Sequence, residues 1–326
     1  MKMSPSLDLG KVLVTGGAGF IGSHLVDRLC EMDTDVVVFD NLSSGTLENI
    51  KKWINAPNFK FVRGDLLSPS EIFEAINECR TVFHLAANPE VRIGSESPDV
   101  HYRQNVITTF NLLETIRKVG SVKTLIFTSS STVYGDATII PTPEDYAPLM
   151  PISTYGASKL AAEALISAYA NTYSFKAVIY RLANIVGSRS QHGVIHDFIK
   201  KLLENPETLE ILGDGTQTKS YMYIEDCINA ILAGIHTNNQ RVEIFNVGSE
   251  NQVTVKEIAD IVCAKMGLKN VQYVFTGGVN GGRGWKGDVK VMLLSIERLK
   301  KLGWKPKLNS RQAVEKAAEE ILGTIR

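Results

Sequence analysis

Short apolar runs punctuate the first half of the chain: Lys11-Val12-Leu13-Val14, Val36-Val37-Val38-Phe39, Phe59-Lys60-Phe61-Val62, Thr81-Val82-Phe83-His84-Leu85, Thr124-Leu125-Ile126-Phe127 and Ala177-Val178-Ile179-Tyr180. Runs so short and so continuously apolar are the mark of strands covered on both faces. Between them lie segments of helical period, the first from about Ile21 to Glu31. This βα rhythm predicts an α/β fold built on a doubly wound parallel sheet. After about residue 185 the rhythm loosens. A helix near 194–204, a short strand at Leu209-Glu210-Ile211-Leu212 and Pro- or Gly-containing connections predict a smaller C-terminal α/β lobe. Tyr223 to His236 reads as a helix, and Val242-Glu243-Ile244-Phe245 as a strand able to rejoin the main sheet. The expected division is therefore 10–185, with roughly 223–250 returning to it, and 186–326 mainly the second lobe. No internal repeat or low-complexity tract is visible.

Composition narrows the possibilities. At 326 residues the chain is about twice the usual domain of roughly 100–200 residues. Lys plus Arg and Asp plus Glu each number 35, so no net charge is available to hold a polyanion, and nucleic acid is not expected as a partner. Cys30, Cys79, Cys227 and Cys263 form no CxxC pair, which points to reduced thiols rather than a zinc site or a disulfide scaffold. The six histidines have no ligand spacing, so no metal is expected; His24 on the first helix and His84 at a strand end read as core or surface residues. The start, Met1 to Asp8, lacks a signal peptide's apolar core, and no run reaches the roughly 18 apolar residues that span a bilayer. A soluble, cytoplasmic protein without a membrane partner is the expectation.

The first strand runs into Thr15-Gly16-Gly17-Ala18-Gly19-Phe20-Ile21-Gly22, which satisfies GxGxxG from Gly17 and GxxGxxG from Gly16. Glycines there let the backbone turn sharply and approach a pyrophosphate at a helix N-terminus, where free N–H groups and the helix dipole favour an anion. Asp40, in Phe39-Asp40-Asn41-Leu42-Ser43-Ser44-Gly45, closes the next strand. A carboxylate at that place accepts hydrogen bonds from an adenosine ribose and repels a 2′-phosphate, so NAD is expected rather than NADP. The other reading of Asp40 is a solvated loop or helix-cap aspartate.

Tyr155-Gly156-Ala157-Ser158-Lys159 opens a helical run, Lys159 to Tyr169, and the spacing of four sets phenol and ammonium on one helix face. A free tyrosine ionises about three units above pH 7, a gap of roughly 4 kcal/mol, so a tyrosine base needs help. Lys159 and a cationic nicotinamide are the available opposite charges, and each would lower the tyrosine pKa. Thr128-Ser129-Ser130-Ser131-Thr132-Val133-Tyr134-Gly135, directly after a strand, offers hydroxyls to orient a reacting alcohol, although serine runs are ordinarily loops.

With these motifs in place the sequence resembles the extended short-chain dehydrogenase/reductase superfamily, and within it the nucleotide-sugar epimerases, most closely the UDP-glucose 4-epimerase group. The resemblance spans nearly the whole chain. It includes Gly64-Asp65-Leu66, His84-Leu85-Ala86-Ala87, Asn105, Arg181-Leu182-Ala183-Asn184, Gly213 to Lys219 and Asn246-Val247-Gly248. It implies a Rossmann-like lobe for NAD and a C-terminal lobe for a UDP-sugar. Ser130, Tyr155 and Lys159 match the family's active-site positions. Tyr155 would take the 4-hydroxyl proton while hydride passes from C4 to NAD⁺; the 4-keto sugar would turn and receive the hydride on its other face. Cofactor contacts carried over by the resemblance are Gly16, Gly19, Phe20, Ile21, Gly22, Asp40 to Gly45, Asp65, Leu66, Leu85, Ala86, Ala87, Asn105 and Ala183, with Tyr155 and Lys159. Substrate contacts are Asn184, Gly193, Val194, Glu210, Ile211, Leu212, Lys219, Arg283 and Asp288, with Ser130 and Tyr155.

Departures from the family pattern are informative. The related 4,6-dehydratases carry an Asp-Glu pair where this chain has Ser131-Thr132, and the absent glutamate also counts against UDP-glucuronate decarboxylases. Lys219 stands where many relatives have Arg, keeping the charge without the bidentate fork. In Arg283-Gly284-Trp285-Lys286-Gly287-Asp288 the spacing differs from the family's RxGD, which leaves Arg283 and Lys286 as rival phosphate ligands. Met292 matches a position whose bulk governs room for an N-acetyl group, and flexible methionine leaves both sugars open. UDP-GlcNAc/GalNAc, a uronate or a pentose sugar are the alternative substrates, and a non-catalytic NAD-binding regulator the alternative of another class. The resemblance further implies a homodimer through Val100 to Val119 and Tyr155 to Tyr173.

Overall fold

A computed structural model describes residues 8–235 and 240–325. The N-terminal stretch before Asp8 and the helical reading of His236 lie outside the described residues. Six strands of the main sheet come in order: β1 (Val12–Thr15), β2 (Val36–Asp40), β3 (Phe59–Arg63), β4 (Thr81–His84), β5 (Thr124–Ser130) and β6 (Lys176–Leu182). A seventh, Val242–Val247, pairs in parallel with β6, placing Val242 opposite Ala177. All seven strands run parallel, in the order Val242–Val247, β6, β5, β4, β1, β2, β3.

The apolar runs are explained by what covers the sheet. Along β1, Val12 and Val14 face one layer while Leu13 faces the other, and β2 divides the same way between Val36, Val38 and Val37, Phe39. One layer is closed by α1 (Phe20–Glu31) among others, and the opposite layer by α2 (Pro69–Ala75). Edge strand β3 departs from the rule, with Lys60 and Arg63 exposed, as an unpaired edge requires.

Three elements differ from the sequence expectation. β5 continues to Ser130, pairing Thr128, Ser129 and Ser130 with Tyr180, Arg181 and Leu182, so the hydroxyl run begins inside the sheet rather than in a loop. The neighbouring strand supplies a ladder that outweighs the weak turn preference of serine. A four-residue helix, α3 (Pro98–His101), passes through a π-helical stretch at Tyr102–Ile107 into α4 (Thr108–Val119). The helix bearing the tyrosine, α5 (Thr154–Tyr173), starts a turn earlier than expected because Ser153 caps it, its hydroxyl accepting the Gly156 N–H at 3.0 Å.

The remaining helices are α6 (Val194–Glu204), α7 (Ile224–Ile235), α8 (Val255–Met266), α9 (Glu297–Lys301) and α10 (Ser310–Ile325). Small sheets accompany them: Asn184–Val186 with Tyr221–Tyr223, Thr208–Ile211 with Gln272–Phe275, and Thr218–Lys219 between Val253–Thr254 and Val291–Met292. Among the described residues no helix is long and apolar enough to cross a membrane.

Asn105 sits in the π-helical stretch, 2 % exposed, and ties three segments together. Its Nδ2 donates to Ser158 Oγ on α5 at 2.9 Å, and its Oδ1 accepts the Asn88 N–H from the loop after β4 at 2.8 Å. Asn105→Ala strands that N–H and is expected to cost about 1–3 kcal/mol, measurable by urea unfolding.

Candidate active site

Strand order reverses between β1 and β4, which opens a crevice beyond their C-terminal ends, Thr15 and His84. The glycine turn lines it. Gly16 has φ +71° and no room for a side chain, since a Cβ would lie 2.7 Å from Ala86 N. A Cβ on Gly22 would overlap the Gly16 carbonyl oxygen. Gly19 caps α1 without a side-chain hydrogen bond, and no acidic residue occupies the first turn. The first-turn N–H groups are thus left for an anion, and the residues present fit a dinucleotide's pyrophosphate.

Asp40 closes the turn. It is 8 % exposed, with Oδ2 accepting the Ala18 N–H at 2.9 Å and Oδ1 the Leu42 N–H at 2.8 Å. Burial pushes its pKa up and those two bonds oppose the rise. Each carboxylate oxygen keeps a further lone pair for a ribose hydroxyl. Asn41 reaches from here to Asp65, Nδ2 to Oδ2 at 3.1 Å, so the second and third strand ends form one rim with the turn. Leu85 and Ala86 lie against Thr15, their N–H groups donating to its carbonyl at 3.2 Å and its hydroxyl at 3.4 Å. Leu66 is in the core layer, and Ala183 is 8 % exposed just past β6.

The three candidate catalytic side chains meet at the C-terminal end of β5. Ser130 ends the strand and lies near enough to the half-buried Tyr155, in the first turn of α5, to draw its pKa down. Lys159, 3 % exposed, donates to the Thr128 carbonyl at 2.9 Å; its Nζ is 6.0 Å from the centre of the Tyr155 ring and 4.8 Å from that of Phe127. Folding alone works against a tyrosine base. Desolvation raises the Tyr155 pKa to about 12, with the Ser130 hydroxyl only partly offsetting it, and lowers that of Lys159 to about 8, opposed by Glu163. Thr132, where a dehydratase would need an acid, donates its hydroxyl to Ser130 Oγ at 2.9 Å.

Further residues surround these three. His101, on α3, packs edge-on to the Tyr155 ring at 5.6 Å and bonds Thr154 Oγ1 and the Glu90 carbonyl. His84 is a core histidine, held between Thr15 Oγ1 at 2.8 Å and Thr109 Oγ1 at 3.0 Å. Desolvation, then Lys159, push its pKa down to about 3, so it is neutral. Glu163 and Arg181 form a buried ion pair of 2.7 Å below the site. Glu163 had a signal in the sequence, since it extends the Tyr155–Lys159 interval by a further four residues.

Substrate candidates of the second lobe fall into unequal groups. Lys219 and Asp288 form an ion pair of 2.5 Å, and Arg283 reaches Asp136 with both terminal nitrogens, at 2.9 and 3.0 Å, and the Asp288 carbonyl at 2.6 Å. Trp285 packs against Arg92 and Lys219, its ring centre 5.7 and 5.5 Å from them. Asn184 reaches the Ser220 carbonyl at 3.3 Å, and Gly193 and Val194 start α6. Leu212 is half-buried, whereas Glu210 is exposed and paired with Lys201. The Ile211 side chain is wholly in the core, so only its backbone is available to a ligand.

Known proteins of similar sequence and fold place the chain in a family. The profile of the NAD dependent epimerase/dehydratase family matches residues 12–248. A crystal structure of a UDP-galactose 4-epimerase is 44 % identical, with a TM-score of 0.86, covering 97 % of this chain and 100 % of that one. The UDP-glucose 4-epimerase of Thermotoga maritima, solved with UDP-glucose, is 33 % identical at a TM-score of 0.85 over 97 % and 100 %. UDP-glucuronic acid decarboxylase 3 of Arabidopsis thaliana is 32 % identical over 95 % of this chain and 89 % of its own. The chain belongs to the NAD-dependent epimerase/dehydratase family, and its cofactor is NAD.

Proposed function

We propose that the protein is a UDP-sugar 4-epimerase interconverting UDP-glucose and UDP-galactose through a 4-keto sugar. The observation that carries this reading is the meeting of Ser130, Tyr155 and Lys159 beside the glycine turn, with hydroxyls rather than acids at Ser131 and Thr132. NAD, bound along the turn, supplies reversible hydride exchange at the sugar C4. Tyr155 takes the 4-hydroxyl proton and later returns it. Ser130 holds the sugar oxygen as it changes from alcohol to carbonyl.

Ionising a phenol at pH 7 from a pKa of about 12 requires about 7 kcal/mol of stabilisation. The Lys159 ammonium and the cofactor's positive ring are the groups that oppose this cost in the loaded site. A second requirement is that the keto sugar turns over while its nucleotide stays put. Asn184, Gly193, Val194, Glu210, Leu212 and the Ile211 backbone are assigned to the nucleotide end. Lys219, Arg283 and Asp288 are assigned to the diphosphate and ribose, with the incoming phosphates replacing Asp136 on Arg283 and sharing Lys219 with the buried Asp288. Exposed Tyr102, Phe110 and Tyr173 support pairing of two copies through the α3–α4 segment and α5.

Purified protein given UDP-galactose, UDP-N-acetylgalactosamine and UDP-glucuronate separately is expected to epimerise UDP-galactose at C4 without net consumption of NAD, as resolved by chromatography. Tyr155→Phe abolishes turnover. Conversion of UDP-N-acetylgalactosamine at a higher rate reassigns the sugar; carbon dioxide released from UDP-glucuronate replaces the epimerase reading with decarboxylation. Asp40→Ala is expected to raise the ratio of NADP to NAD affinity by roughly tenfold or more, since one like charge is removed from beside the 2′-position; calorimetric titration with both cofactors checks it.

A further inference from the structure

Tyr155, Lys159 and Glu163 recur every four residues along α5, so the carboxylate stands one turn below the ammonium as the phenol stands one turn above it. Glu163 is 4 % exposed and fully engaged. Its Oε1 accepts from Ser129 Oγ at 2.5 Å and Arg181 Nε at 3.1 Å, and its Oε2 from Arg181 Nη2 at 2.7 Å. Ser129 directly precedes Ser130 on β5, and Arg181 is its register partner on β6. Arg181 is anchored in turn, donating to the Tyr134 hydroxyl at 2.9 Å and the Glu144 carbonyl at 3.1 Å. One carboxylate thus ties the helix bearing Tyr155 and Lys159 to the strand bearing Ser130.

We infer that Glu163 is a positioning residue that holds the Tyr155–Lys159 pair in its tyrosinate–ammonium form, the form required by the 4-epimerase reading on which this inference rests. Once the pair has lost one proton, the other proton sits either on lysine, leaving tyrosinate, or on tyrosine, leaving a neutral amine. The groups around the ammonium decide between them. β5 offers the Thr128 carbonyl and the Phe127 ring, β4 a neutral His84, and α5 the phenol and Glu163; the Arg181 cation lies behind the carboxylate. Glu163 is the negative charge in that set, and it lies nearer the lysine than the tyrosine in helix register. Burial alone favours the uncharged arrangement, and Glu163 opposes it.

The test is the pH dependence of kcat and KM for Glu163→Gln, Glu163→Asp and the double variant Glu163→Gln/Arg181→Gln, which removes the ion pair as a unit and so protects the fold. Losing a nearby negative charge makes each proton loss from the pair easier. Both limbs of the kcat profile are therefore expected to move to lower pH by roughly one unit in Glu163→Gln, with a plateau about tenfold lower and KM for the UDP-sugar unchanged. The double variant shifts in the same direction, and Glu163→Asp keeps the wild-type limbs. The tyrosinate absorbance accompanying the first proton loss, read against Tyr155→Phe, shrinks in Glu163→Gln. Limbs and absorbance that stay in place while only the melting temperature falls would overturn the inference. A wild-type protein inactive on every UDP-sugar would sink the proposed function instead, and the absorbance titration would still decide the role of Glu163.

Discussion

An ammonium with 3 % exposure sits at the mouth of the parallel sheet, and most of the site follows from keeping it there. Burying such an ion costs several kcal/mol even after relaxation. Lys159 offsets that cost with the Thr128 carbonyl at the top of β5, the face of Phe127 and the Glu163 carboxylate. None of these partners is adjustable alone. The carbonyl is fixed by pairing of β5 with β6, the aromatic face by the core layer beneath α5, and the carboxylate by Arg181. A buried pair like Glu163–Arg181 adds little net stability, yet removing one member costs about 3–5 kcal/mol because the other charge is left unpaired. Such a pair is better understood as fixing geometry than as strengthening the fold.

The same constraint reaches the cofactor side through β4. Burial first, and the Lys159 charge second, hold His84 neutral, and a neutral ring can donate through one nitrogen and accept through the other. It uses both, linking Thr15 at the root of the glycine turn to Thr109 on α4. Ala86, immediately beyond, is the backbone against which Gly16 must remain bare. The nucleotide cradle and the catalytic end of β5 are therefore braced by one hydrogen-bonded layer across the sheet.

Much of this was legible in the sequence because it depends on local pattern. Strands buried on both faces show as unbroken apolar runs, and the glycine turn shows because backbone contacts leave only one residue type possible. The end of β5 was harder, because Thr128 to Ser130 have a turn-like composition and owe their strand conformation to β6, brought alongside by the fold. The π-helical passage at Tyr102–Ile107 had no sequence signature either; it goes with Asn105 reaching Ser158 on another helix. His101 against Tyr155 and Arg181 against Glu163 are contacts between distant segments, which periodicity does not report. Ile211 shows a different limit: the motif position matches the family, but its side chain is in the core and only its backbone is left for a ligand.

The second lobe holds its cations differently from the first. Lys159 is kept charged by groups that a ligand cannot displace, whereas Lys219 and Arg283 are held by Asp288 and Asp136 at 2.5 and 2.9 Å. Asp136 is half exposed on its side chain, so its bond to Arg283 is screened and exchangeable; Asp288, at 3 %, is not. Under the proposed UDP-sugar reading, a diphosphate approaching from solvent would gain Arg283 at small cost by releasing Asp136. It would gain Lys219 only by sharing that lysine with a buried carboxylate, for which one ammonium with three donors suffices. For that proposed ligand, this asymmetry favours Arg283 over Lys286, since the Arg283 guanidinium is already oriented at the seam between Asp136 and the Asp288 backbone.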